Sequence, residues 1–247
     1  MCSRLTDLFC CDILHFMANT RRYTSNAERL SISYHEAGHA VAMIDLGQPF
    51  RYVTMRPRDP YSAGQVMSCG KEHDSWLSSG AIYVSGIIAE YLRIELGNYE
   101  FVDFGDRAKF QRYLTQYSGR TDLKELRRRS WGAWFAARTM PDILDIPVDL
   151  NLSPVDISIK CWNFAFKTLV LHWKAVELVA SELYYSTKLI PSKEIRCIVN
   201  GVEKDWVSLS TLSDNDMEPW FLKYSRLKWM PSDSWFAEVE RYSIVNN

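Results

Sequence analysis

The sequence predicts an α+β protein that is predominantly helical, with a small β element beside its first helix. Long stretches at 25–46, 76–96, 124–140 and 155–187 read as helices. Residues rich in β-formers are confined to two short runs, 50–56 and 64–68. A chain of 247 residues, 47% apolar and 24% charged, suits one sizeable soluble domain with a small appendage.

Each element has local reasons. Ser25 or Asn26 can cap the first helix, and Glu28 in its first turn suits the positive end of the dipole. Gly47 is placed to end that helix as a left-handed residue, and Pro49 prevents continuation. The turn Pro57-Arg58-Asp59-Pro60 separates the two strands. After a polar loop at 71–75, Trp76 through Leu96 has the spacing of a buried helix that ends near Gly97. Asp106 to about Tyr117 reads as the next helix, and Lys124 to Met140 as another. Pro141 to Pro154 holds three prolines and reads as a linker. Val155 to Thr187 is a long amphipathic helix with room for one break, and Ser192 can cap a short terminal helix.

The chemistry lies in Tyr34-His35-Glu36-Ala37-Gly38-His39-Ala40. Two histidines four residues apart on a helix are separated by about 400° of rotation, so their imidazoles leave one face a turn apart and can chelate one metal ion. Glu36 lies beside that face, within reach of a water held by the metal. This is the HEXXH arrangement of the zincins: two neutral imidazoles on zinc and a glutamate as general base. The helix is small and apolar around the motif, with Ala37, Ala40, Val41 and Ala42. A glycine in mid-helix costs about 1 kcal/mol relative to alanine. Something other than helix stability must favour Gly38, and close packing near a metal is the expectation.

His35-Glu36-Ala37-Gly38-His39-Ala40-Val41 resembles the active-site helix of the FtsH-type AAA+ metalloproteases, and more closely that of their stand-alone relatives without the ATPase. The resemblance continues in order. Val53 to Arg58 followed by Ala63-Gly64-Gln65 is similar to the family's strand and its glycine-containing return. Ser85 to Glu90 resembles its second helix, Gly105-Asp106-Arg107-Ala108 the start of the helix that carries the third metal ligand, and Trp173 to Val199 its closing helices. The resemblance implies a zincin-like metallopeptidase domain over 25–200, an N-terminal arm over 1–24 and a Trp-rich tail over 201–247 that no part of it covers. It also implies that an extended strand beside the metal pairs with the substrate backbone. The first 16 residues read as an extension ahead of a natural start at Met17. Four of the nine tryptophans lie in the tail, which is expected to fold back on the domain or else to dock on a partner.

A catalytic zinc takes three protein ligands and keeps one position for water. By resemblance the third is Asp106, with Asp103 as runner-up; capping of the helix is the plain structural role for either. A different zincin pattern would nominate Glu90, which the resemblance instead places behind a ligand, orienting a histidine N–H. His73 has ligand chemistry but no supporting neighbours.

The implied function is zinc-dependent endopeptidase hydrolysis, with His35, His39 and Asp106 on the metal and Glu36 as base. Its alternatives are a catalytically silent metal-binding or interaction module on the same fold, and a structural domain acting through the tail. No stretch has the spacing of a P-loop: Gly64 to Gly70-Lys71 has one residue too many and is followed by Glu72. The expected substrates are therefore peptides, flexible segments or proteins delivered by a separate ATPase or by an oligomer. A formal net charge of −1 gives no reason to propose nucleic acid, and Arg127-Arg128-Arg129 reads as a solvated helix face. Cys2, Cys10, Cys11, Cys69, Cys161 and Cys197 have no paired spacing and read as reduced thiols of a cytoplasmic protein. No apolar run is long enough for a membrane anchor, and Asp12 interrupts the stretch from Leu8 to Met17, which argues against a signal peptide.

Overall fold

The computed structural model describes residues 26–55, 64–69, 75–96, 107–144, 147–186 and 188–202. The arm at 1–24, the Pro57–Pro60 turn, Gly97 and nearly all of the tail lie outside the described residues. The architecture is mostly helical α+β. Helix α1 (Asn26–Asp45) leads into strands β1 (Phe50–Thr54) and β2 (Gln65–Ser68), then helix α2 (Trp76–Leu96). Helix α3 (Arg107–Tyr113) passes through a wide π turn at Leu114–Ser118 into α4 (Arg120–Thr139). Helices α5 (Pro154–Leu171) and α6 (Trp173–Tyr185), strand β3 (Ile190–Pro191) and helix α7 (Ser192–Gly201) complete it.

Helix α2 is the hub. It packs on α1, α4 and α5, while α1 also packs on α6. Its composition explains this: Val84, Ile87, Ile88, Ala89, Tyr91 and Leu92 are all fully buried, so apolar residues ring the helix on several faces. Trp162, Phe166 and Ile157 of α5 and Leu123 and Leu126 of α4 close the same core. Gly38 is closely packed, and what it packs against is the backbone of α2. A Cβ there would come within 2.4 Å of the Ser85 carbonyl oxygen, so α1 and α2 touch backbone to backbone. No helix among the described residues is long and apolar enough to cross a membrane.

The sheet has the order β2-β1-β3, all antiparallel, with Val53 paired to Val66 on one side and to Ile190 on the other. A register shift between Phe50 and Tyr52 bends the start of β1. Gly47 ends α1 as expected, at φ 75°, with Gln48 N–H donating to the Met43 carbonyl at 2.8 Å.

Three expectations are corrected. Helix α4 starts at Arg120 and not at Lys124, because the chain runs on through Gly119 without a break. The Gly119 N–H donates to the Leu114 carbonyl five residues back at 2.7 Å, which widens the turn and lets helix continue. The linker gives up its last two residues to α5: Ser153 is a cap, its hydroxyl accepting from Asp156 N–H while Asp156 accepts from Ser153 N–H, and Pro154 is the first helical residue. Ser192 is not a cap. Ile190 and Pro191 pair with β1, so the helix begins directly off the strand with Pro191 in the cap position. The break foreseen in the long helix falls at His172, whose Nε2 lies 2.7 Å from Asp45 Oδ1 at the end of α1. Cys69, Cys161 and Cys197 are free, and burial pushes the Cys161 thiol up to about 12, which keeps it protonated.

Candidate metal centre

Helix α1 carries His35 and His39 on the face it turns to α2, and α2 holds each ring by its inner nitrogen. His35 Nδ1 lies 2.7 Å from Glu90 Oε1, and His39 Nδ1 lies 2.7 Å from the Ile82 carbonyl oxygen. A carbonyl can only accept, so His39 carries a proton on Nδ1 and keeps the Nε2 lone pair available. Glu90 serves His35 in the same way, and it also accepts from the hydroxyls of Ser31 and Ser118. It is fully buried, and these three donors account for its burial. Glu90 thus stands behind His35 as an orienting acceptor.

On the outer side the two Nε2 atoms face each other at 3.0 Å. Asp122, in the first turn of α4, brings Oδ2 to 3.0 Å from His35 Nε2 and 3.7 Å from His39 Nε2. Nitrogen and oxygen donors from all three residues lie within 4.8 Å of one another. The side chains of His35, His39 and Asp122 are 11%, 12% and 17% exposed, so the cluster is largely buried while each member keeps a little contact with solvent.

Three electron-pair donors this close repel one another unless positive charge stands among them. Without a cation a proton does so. Burial opposes a charge on His35, yet its hydrogen bonds to Asp122 and Glu90 outweigh burial and raise its pKa well above the ordinary 6.5. Burial likewise opposes the Asp122 carboxylate, and the charges of His39 and His35 overcome it, holding that carboxyl well below the usual range. A divalent cation meets the same demand with more charge. Two imidazole nitrogens and one carboxylate oxygen form a donor set suited to catalytic zinc, with a position left over for water. The residues therefore fit a metal ion.

Glu36 follows His35 on α1 and is 6% exposed. No hydrogen-bond donor among the described residues holds its carboxylate. Burial raises its pKa, and the neighbouring imidazoles partly pull it back. The chain entering β2 runs over this group: a Cβ at Gly64 would come within 2.6 Å of Glu36 Oε1.

The structure thus brings His35, His39 and Glu36 together. Asp106, Asp103 and His73 lie outside the described residues. The acid found at the two imidazoles is Asp122, which the sequence reading does not nominate. An acid at a helix start beyond the Glu90 helix was the criterion applied to Asp106, and Asp122 meets it too. The expected start at Lys124 left Asp122 in a gap between helices, and an acid in a first turn already has an ordinary role against the dipole. No protein-family model matches the chain, and no curated protein matches it in sequence.

Proposed function

We propose that this protein is a zinc metalloendopeptidase whose site resembles that of the FtsH-type peptidases, with His35, His39 and Asp122 as metal ligands and Glu36 as general base. The observation that carries the reading is the position of Glu36, a buried carboxylate that no hydrogen-bond donor among the described residues holds, beside a convergent His-His-Asp donor set. A purely structural metal site closes all positions with protein ligands and has no use for such a group.

Zinc, when bound, supplies Lewis acidity, which lowers the pKa of a water and polarises a scissile carbonyl. The chain's own residues do the rest. Glu36 accepts a proton from the attacking water as the water oxygen bonds to the peptide carbon. It delivers that proton to the amide nitrogen as the C–N bond breaks, leaving a carboxylate and an amine. The burial that raises its pKa also makes it a stronger base. Glu90 and the Ile82 carbonyl keep both rings in the tautomer that offers Nε2. Substrates are extended peptides or flexible segments that can reach the cluster, with the outer edge of β2, whose entering chain passes Glu36, able to pair with their backbone.

The test is metal analysis of the purified protein together with Glu36→Gln, assayed on an unstructured polypeptide. The expected result is about one zinc per chain in both proteins and cleavage reduced by roughly 10²–10⁴-fold in the variant. Undiminished cleavage by Glu36→Gln, or a wild-type protein that takes up no metal, overturns the reading.

A further inference from the structure

Ile82, Gly86 and Glu90 are spaced four apart and form one stripe along α2. The outer two hold His39 and His35 by Nδ1, so α2 runs antiparallel to the helix that bears the histidines. Gly86 lies between these two anchors, opposite the gap where the Nε2 atoms meet. A Cβ at position 86 would stand 2.5 Å from His39 Nε2, 2.6 Å from His35 Nε2 and 2.7 Å from His35 Cδ2. Both coordinating nitrogens therefore rest against bare backbone.

A side chain here cannot be accommodated by a small adjustment. Carbon and nitrogen in van der Waals contact need well over 3 Å, so both rings would have to retreat. The anchors that would have to release them, Ile82 and Glu90, belong to the same helix as residue 86 and sit one turn to either side. A ring can keep its Nδ1 bond or clear a methyl group, but not both. Ordinary helix stability favours alanine at such a position, so the glycine is retained against local propensity.

We infer that Gly86 is a positioning residue for the metal: its missing side chain is what allows two imidazoles, each tied to α2, to converge on one cation. The inference rests on the metal reading above but concerns a residue that touches neither metal nor substrate. Any side chain at 86 weakens the site through the rings, without disturbing the rest of the fold.

The experiment compares Gly86→Ala with wild type, each also in a His35→Ala/His39→Ala background that removes the rings. Zinc affinity is read by competition with a chromophoric chelator, and the thermal midpoint is read on metal-free protein. Expected are zinc affinity lowered on the order of 100-fold by Gly86→Ala, and a midpoint in the ring-less background that is unchanged or raised by the same substitution. Wild-type affinity in Gly86→Ala overturns the inference and leaves the metal reading intact. So does an equal fall in midpoint in both backgrounds, which would make the glycine a packing residue. If Gly86→Ala fails to fold in the native background, a normal midpoint in the ring-less one still attributes the failure to the imidazoles. A wild-type protein that binds no zinc overturns the metal reading and the inference together.

Discussion

At the centre of the cluster a proton takes up a lone pair that a bound metal ion would need. His35 has its pKa raised in the metal-free protein, so near neutral pH it holds a proton that a cation must displace. Zinc uptake should release protons and tighten as pH rises through the raised His35 value. Calorimetric titration at pH 7 in two buffers of different ionisation enthalpy is expected to give different apparent heats, and identical heats would show that no proton leaves. The same shifts set the stability of the metal-free chain. The raised His35 pKa contributes stability that is fully present below about 6.5 and is lost as pH rises through its folded value. The lowered Asp122 pKa contributes stability present above its unfolded value of 3.8 and lost as pH falls through its folded one. At this scale the pair of histidines and Glu36 were legible, because four-residue spacing on a helix fixes their shared face. Asp122 was not: its role depends on where a distant helix lands, and no local pattern records that.

Helix ends give the next scale its clearest case. Ser153 and Asp156 satisfy each other's backbone N–H groups at the start of α5, far in sequence from His35, His39 and Asp122. Ser153→Ala should cost about 1 kcal/mol with zinc affinity unchanged, as measured by denaturant unfolding and chelator competition. The Ser153 hydroxyl and N–H hold the Asp156 carboxyl below its ordinary 3.8, so this contribution is present above that value and fades as pH falls through the lowered one. The deficit of the variant should shrink in acid to match. Most elements were legible here. Trp76–Leu96 and the Gly47 stop follow from apolar spacing and a left-handed glycine, both local properties. The π turn was missed because a bond from Gly119 N–H to the carbonyl five residues back, which carries one helix into the next, has no signature in the local sequence. The two-residue strand β3 was missed because a Pro-containing step has no strand signature without the partner that pairs with it.

Across the molecule, the three donors come from α1 and α4, which both lie on α2. An ion bound there ties together helices that are distant in sequence, and the folded state gains what the unfolded chain cannot. With free zinc at 100 times its Kd the gain is about 2.7 kcal/mol, which for a protein of this size raises Tm by roughly 5–10 °C. Thermal scans with and without a chelator check this. Equal midpoints would mean that the folded chain has no preference for the ion.

The wide turn at Leu114–Ser118 also governs what length changes the lineage can tolerate. Each residue added or removed ahead of α4 rotates Asp122 by about 100° around its axis, carrying the carboxylate off the imidazoles. Indels should therefore be purged between 114 and 122, while the exposed bend at 149–151 can lengthen freely.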